Sequence, residues 1–288
     1  MSSARILAPP RPLTTVVRDC SPAANHKGRR AVEGDRCRAY SGRMSKTSGA
    51  DSSGGPVEAL EDCPHCSKPK PLCICEGLTP LDNRIEVLIL QHPQEQDRAL
   101  GTARLTLMQL TRGVLKVGLS WPSLSKALGR PVADPSRWAV LYLGSAKAAN
   151  LDSVSGVVAI SREGEVEENQ SATLRRLEGI VLLDGSWSQS KALWWRNPWM
   201  LKCQRVILRP SRPSRYGRLR REPRREGLST IEATAMLLSG LEDRAEIAEI
   251  LNASFVRMLK RYQEVHREQP ALATKPRPKR GFRRRRRP

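Results

Sequence analysis

Gly179-Ile-Val-Leu-Leu-Asp184-Gly185-Ser186-Trp187-Ser-Gln189 is the stretch that decides the fold. Residues 179–183 form a near-continuous apolar run of strand length, the pattern of a strand buried on both faces. The run enters Asp184 directly and is followed by a helical segment over 188–196, stopped by Asn197-Pro198. The same signature recurs at 85–90 (I-E-V-L-I-L), at 138–143 (W-A-V-L-Y-L) and, shorter, at 206–208 (V-I-L). Between and after these strands the period changes to that of helices. One is expected over 98–111, with Leu100, Leu107, Met108 and Leu110 on one side. Ser229-Thr-Ile-Glu232 is a capping box that opens an Ala-rich helix to about 239. An amphipathic helix covers 243–266, with Ile247, Ile250, Leu251, Phe255, Met258 and Leu259 on its apolar side. Buried strands alternating with helices specify an α/β fold with a mostly parallel sheet flanked by helices. In such folds chemistry gathers at the carboxyl ends of the strands, where Asp184 stands.

The 288 residues carry 50 Lys plus Arg against 29 Asp plus Glu, a formal charge of +21. This length buries a proper core. No apolar run approaches the ~18 to 20 residues of a spanning helix, so a helical membrane protein is excluded. Seven Cys are too few and too uneven for a disulfide-stapled fold. The charge is concentrated: 275–288 holds nine basic residues and no acid, 205–225 holds nine Arg against Glu222, and the first 55 residues carry +6. Together these regions exceed the whole net charge, which points to a polyanionic partner and foremost to nucleic acid. Four parts are expected. Residues 1–59 form a disordered basic extension, 60–80 a four-cysteine module, 81–268 the catalytic α/β domain and 269–288 a disordered Arg-rich tail. The N-terminal stretch has a weak likeness to a transit peptide, and is equally consistent with a plain extension or with a start at Met44. Reduced thiols in a cytoplasmic setting are the default, and nothing calls for an obligate protein partner.

Four constellations can carry chemistry. Cys63-Pro-His-Cys66 and Cys73-Ile-Cys75 supply four thiolates for a tetrahedral structural zinc, stiffened by Pro64, Pro69 and Pro71. Asp184-Gly185-Ser186-Trp187 offers a carboxylate facing a crevice, close backbone approach at Gly185, a helix cap at Ser186 and a stacking ring at Trp187. Taken alone, it reads more readily as strand, cap and core Trp. His92-Pro93-Gln94-Glu95 adds a titratable group and a carboxylate at a second strand end, or else a solvated turn. Ser211 to Arg221 interleaves arginines and hydroxyls with Tyr216, suited to phosphate contacts and base stacking, or else to a solvated loop. The cluster Trp194, Trp195 and Trp199 is expected to be core or domain packing rather than a base platform, and Cys20, Cys37 and Cys203 are read as ordinary thiols.

In order, the chain reads C-x-x-C-x6-C-x-C, strand, H-P-x-E, D-x-S-W-x-Q with N-P downstream, S-x-Y and L-S-T-x-E-A. This ordered set resembles the DTW-domain family of tRNA-uridine aminocarboxypropyltransferases, over about residues 60 to 255. The family pattern D-x-T-W is met by Asp184, Ser186 and Trp187, with Ser in place of Thr, so the hydroxyl is kept. The resemblance implies a SPOUT-like α/β fold, of a kind whose chain can be knotted, with S-adenosylmethionine as co-substrate. It also implies transfer of the 3-amino-3-carboxypropyl group to N3 of a tRNA uridine, releasing 5′-methylthioadenosine. On this reading Asp184 is the base or orients the uracil imide, with Ser186, Trp187, His92 and Glu95 completing the catalytic site. Gln189 helps hold the loop. Backbone at Leu143, Gly144, Leu183 and Gly185, with the turn at Leu228, Ser229 and Thr230, cradles the donor. Arg218, Arg220 and Arg221 hold tRNA phosphates, with Tyr216 near the target nucleotide. Two other readings stay open: a non-catalytic zinc-containing RNA-binding protein, and a methyltransferase on the same fold.

Overall fold

A computed structural model of the chain describes residues 61–96, 98–141, 156–220 and 227–268. The two tails, Leu143, Gly144 and Arg221 lie outside the described residues. Six strands form one sheet: β1 (Glu86–Gln91), β2 (Gly113–Val117), β3 (Trp138–Leu141), β4 (Gly156–Ile160), β5 (Gly179–Asp184) and β6 (Gln204–Arg209). Their spatial order is β2-β1-β5-β3-β6-β4, parallel throughout except for β4, which runs antiparallel along β6. The helices are α1 (Ala103–Leu107), α2 (Leu124–Leu128), α3 (Gln170–Arg175), α4 (Trp187–Arg196), α5 (Thr230–Glu242) and α6 (Ala245–Glu268).

The apolar runs are explained by the two cores they serve. Along β1, Val87 and Ile89 enter the core formed with α1, α5 and α6, whereas Leu88 and Leu90 enter the opposite one, formed with α2 and the segment around Trp199 and Met200. Every residue of β1 is buried. At roughly 1.5–3 kcal/mol for each aliphatic side chain removed from water, that strand alone anchors both layers. Beside it, Gly179 opens β5 because a side chain there would meet the Trp138 ring at 2.5 Å.

Connectivity creates the crevice. From β1 the chain turns outward through α1 to β2, on the α5 side of the sheet; from β5 it leaves in the other direction through α4 toward β6, against the other core. The adjacent ends of β1 and β5 are therefore a topological switch point, where the following loops diverge and leave room for a ligand. The described residues carry no support for the knot that folds of this kind can contain.

The helix expected over 98–111 forms only at Ala103–Leu107, and its missing half has a clear cause. The carbonyls of Ala99 and Gly101 accept from Lys68 Nζ at 2.5 and 3.0 Å, and that of Leu100 accepts from the Tyr216 hydroxyl at 2.6 Å. Three consecutive carbonyls captured by distant side chains are lost to a helical ladder.

Candidate active site

Register at the switch point places the Asp184 carboxylate. Gln91 ends β1 directly opposite Asp184, which ends β5, so both side chains stand on the α5 face. Gln91 Nε2 donates to Asp184 Oδ2 at 2.8 Å, and the Thr230 hydroxyl, at the start of α5, donates to Oδ1. Asp184 is half-buried and has a fixed orientation, and each of its oxygens keeps a second lone pair. Gln91 is 3% exposed, and its Oε1 is a buried acceptor with no hydrogen-bond partner. The backbone N–H of His92 closes the floor by donating to the Asp184 carbonyl at 2.9 Å.

The loop after Asp184 is built around its glycine. A Cβ at Gly185 would lie 2.8 Å from Gln189 Cβ and 3.4 Å from His92 Cβ, so only glycine lets β5 pass so close to both. Ser186 caps α4 in a capping box with Gln189, whose Oε1 accepts from the Ser186 N–H at 2.6 Å. Gln189 Nε2 then donates to Gln94 Oε1 at 3.1 Å, joining the D-x-S-W-x-Q loop to H-P-x-E. Ser190 bonds back to the carbonyls of Leu183 and Gly185, at 3.2 and 3.3 Å. His92 accepts the Gln94 N–H at Nδ1, at 3.3 Å. Burial, and then the Arg196 guanidinium, hold its imidazole below the usual histidine range. Trp187 is half-buried at the start of α4, with Lys191 Nζ 5.6 Å from its ring centroid.

The remaining motifs prove to be struts. Glu232, 6% exposed, collects the hydroxyls of Ser214 and Ser229, both at 2.6 Å, and the N–H of Arg215 at 2.8 Å, so S-x-Y and L-S-T-x-E are one unit. Ser229 gives both its hydroxyl and its N–H to Glu232, Leu183, Gly185 and Thr230 stay beside Asp184, and Leu228 packs against the core. Asn197, fully buried, accepts from Trp121 N–H (2.8 Å) and Trp199 Nε1 (3.3 Å), and donates to the carbonyls of Leu119 (3.0 Å) and Leu193 (2.7 Å).

Tyr216, expected near the target nucleotide, has its ring covered in this structure. It is 2% exposed, its ring meets Phe255 edge-on at 5.0 Å, and its hydroxyl is bonded to Leu100. Arg220 lies over the Tyr216 ring, with Nη2 3.9 Å from Glu95 Oε2, and Glu95, only 4% exposed, also meets Arg98 at 3.4 Å. Glu95 therefore fixes the arginine-rich loop from below, while Arg218 remains exposed. The tryptophan cluster also divides: Trp199 is core, Trp194 half-buried, and Trp195 is 79% exposed. Cys203 behaves as a core thiol, pushed up to about 12 by burial.

The four cysteines of the knuckle come together with all ligand atoms within 4.8 Å of one another. Cys63 and Cys75 Sγ are 3.7 Å apart, Cys66 and Cys73 Sγ 3.8 Å, and none is in a disulfide. A tetrahedron with bonds of ~2.3 Å to sulfur has edges of about 3.8 Å, so the donor set fits zinc. Helix α6 clamps the knuckle from outside, Arg257 Nη2 donating to Ile74 O at 2.7 Å and Arg261 Nε to Pro71 O at 2.6 Å. Sequence reasoning missed Gln91. Its signal was a polar residue closing an otherwise apolar strand, one position before His92.

A family model described as the DTW domain matches residues 60–263. A protein named tRNA-uridine aminocarboxypropyltransferase 2 from Mus musculus is 31% identical over 218 residues, covering 73% of this chain and 67% of that one. Its namesake from Macaca fascicularis is 30% identical over 205 residues, 68% of this chain. The chain spans 61% of the macaque protein's length. The Drosophila melanogaster namesake is 28% identical over 204 residues, covering 69% and 74% of the two chains. No solved structure matches. No helix among the described residues is long and apolar enough to cross a membrane.

Proposed function

This chain belongs to the DTW-domain family, and from that premise we propose that it transfers the 3-amino-3-carboxypropyl group of S-adenosylmethionine to N3 of a tRNA uridine. The observation that carries the reading is the Asp184 carboxylate at the switch point, gripped by Gln91 and Thr230 beside a glycine that admits close approach. The co-substrate, when bound, supplies a sulfonium-activated carbon and leaves as 5′-methylthioadenosine. Asp184 takes the imide proton from uridine N3 as the N3 electron pair forms the new N–C bond and the S–C bond breaks toward sulfur. Gln91 and Thr230 keep the carboxylate aimed, so that geometry selects the propyl carbon over the methyl. Thr230 and Gly185 are suited to hold polar parts of the donor. Arg218 contacts phosphate from the loop that Glu95 and Glu232 support. The sheet with its switch point supports a SPOUT-like reading of the domain. Cys63, Cys66, Cys73 and Cys75 hold a structural zinc, and their free thiols suit a reducing cytoplasmic setting.

Incubation with tRNA and S-adenosylmethionine, labelled separately in the methyl and carboxyl carbons, tests this. Carboxyl label in tRNA with release of methylthioadenosine is expected. Methyl label alone makes the protein a methyltransferase, and tRNA binding without either label makes it a non-catalytic RNA-binding protein.

A further inference from the structure

Helix α4 starts at the crevice and does not leave it. Its first turn is joined to Gln94, after β1, through Gln189. Its end is joined to the loop after β2: the Arg196 carbonyl accepts from the Ser120 hydroxyl at 2.9 Å, and Asn197 bonds both Leu119 and Trp121. The helix thus borders the carboxyl ends of both strands. Its exposed face carries Ser188, Lys191 and Trp195. Trp187, Lys191 and Trp195 are spaced i, i+4 and i+8, so that successive members are neighbours on the helix surface.

Trp195 is costly where it stands. It is 79% exposed, while the packing of α4 onto the core is served by Leu193 and Trp194. Its ring makes no hydrogen bond or ring contact among the described residues. From Trp187 to Lys202 the chain carries Lys191, Arg196 and Lys202 and no acidic residue, and all three cations are exposed. An aromatic face among cations with no opposing charge matches single-stranded nucleic acid, whose bases stack while its phosphates pair. A protein partner would be expected to bring apolar area to match, and the neighbouring exposed apolar side chain here is Leu201 alone.

We propose that the outer face of α4 is a stacking platform for unpaired nucleotides flanking the target uridine, with Trp195 under a base and Lys191 on the adjoining phosphate. The proposal rests on the tRNA-modifying reading above. Eight residues of helix separate Trp187 from Trp195, about 12 Å, or three to four base rises of ~3.4 Å. Trp195 therefore reaches a nucleotide some three positions from the reacting one.

The test is binding by the full-length protein of substrate tRNA, of a single-stranded RNA decamer and of a duplex of equal length, each followed by fluorescence. Trp195→Ala is expected to weaken tRNA and decamer binding roughly five- to hundredfold, as base–aromatic stacking does. Trp195→Phe, which keeps a π-face, is expected to restore most of it, and duplex binding is expected to be indifferent to both. Unaltered decamer affinity in Trp195→Ala, with an unaltered melting curve, overturns the platform. So does a wild-type dimer in sedimentation that Trp195→Ala dissolves, which would assign the face to a second copy. Because binding is read without turnover, a wild-type protein that transfers no aminocarboxypropyl group refutes the enzymatic reading and leaves this test intact.

Discussion

The cysteine knuckle and the Asp184 crevice are both polar clusters set against apolar cores, yet they are assembled on different scales. The knuckle closes within thirteen residues, from Cys63 to Cys75. The crevice joins Asp184 to Gln91, 93 residues away, and to Thr230, 46 residues away. Chain geometry dictates the first, whereas sheet register and helix placement dictate the second. The knuckle should therefore fail as a local unit when its ligand is withdrawn. The crevice should fail by small losses of aim while the fold persists.

Metal removal is the largest expected effect. A structural zinc contributes on the order of 10–16 kcal/mol to a small module. Chelation, or Cys66→Ser, should abolish hydrogen-exchange protection over 61–77. It should also loosen 98–101, because Lys68 bridges from the knuckle to the carbonyls of Ala99 and Gly101. Sheet amides of β1 and β5 should stay protected. If they exchange too, the knuckle is part of the global fold and the contrast of scales is lost. Metal analysis of reduced, freshly purified protein that finds no zinc would refute the metal assignment.

Asp184→Asn comes next and isolates the crevice. Loss of a positioned base typically costs 10²–10⁴-fold, so turnover should fall by about that factor while tRNA affinity and melting temperature hold. A variant with near-normal turnover would remove Asp184 from the chemistry and leave it an orienting group for the uracil. Gln91→Met and Thr230→Val are gentler forms of the same experiment. Each removes one donor from the carboxylate, and a hydrogen bond to a charged group is worth ~1.5–3 kcal/mol, so tenfold or more is expected from each. Because both act on one carboxylate, the double variant should cost less than the product of the singles. Full additivity would show that the two donors do not share a target.

These contrasts also explain what the sequence disclosed. The knuckle, the four buried strands and the capping box of α5 were legible because each is a local pattern, read within one turn or one strand. The edge strands β2 and β4 were missed for different reasons: the run of β2 is broken by Lys116, whereas β4 carries an apolar run at 157–160 that is as plain as the one at 206–208 and was passed over. Helices α2 and α3, of five and six residues, are too short to display a period. Asp184, Gly185 and His92 could be picked out as strand-end residues, but their partners Gln91 and Thr230 depend on register. The cover over Tyr216 and the exposure of Trp195 were unforeseen for one reason. Composition identifies an aromatic among arginines or among other tryptophans, but only the path of the chain decides which ring is covered.

The smallest effect concerns the charge of the crevice wall. Burial comes first and the Arg196 guanidinium second in holding His92 below its ordinary value of 6.5. The imidazole is thus neutral at neutral pH, in keeping with its Nδ1 accepting from Gln94 N–H. Since the folded protein binds this proton less readily than the unfolded chain, the linkage leaves stability unchanged above about pH 6.5. It subtracts stability as the pH falls from there toward the folded midpoint. An NMR titration should give a midpoint under 6.5, and Arg196→Gln should raise it without removing the burial contribution. A midpoint at or above 6.5 would mean that the carboxylates of Asp184 and Glu95 outweigh burial and Arg196 together. The crevice would then be an acidic pocket that charges on approach to neutral pH, and His92 a cation able to meet the phosphate of the incoming RNA.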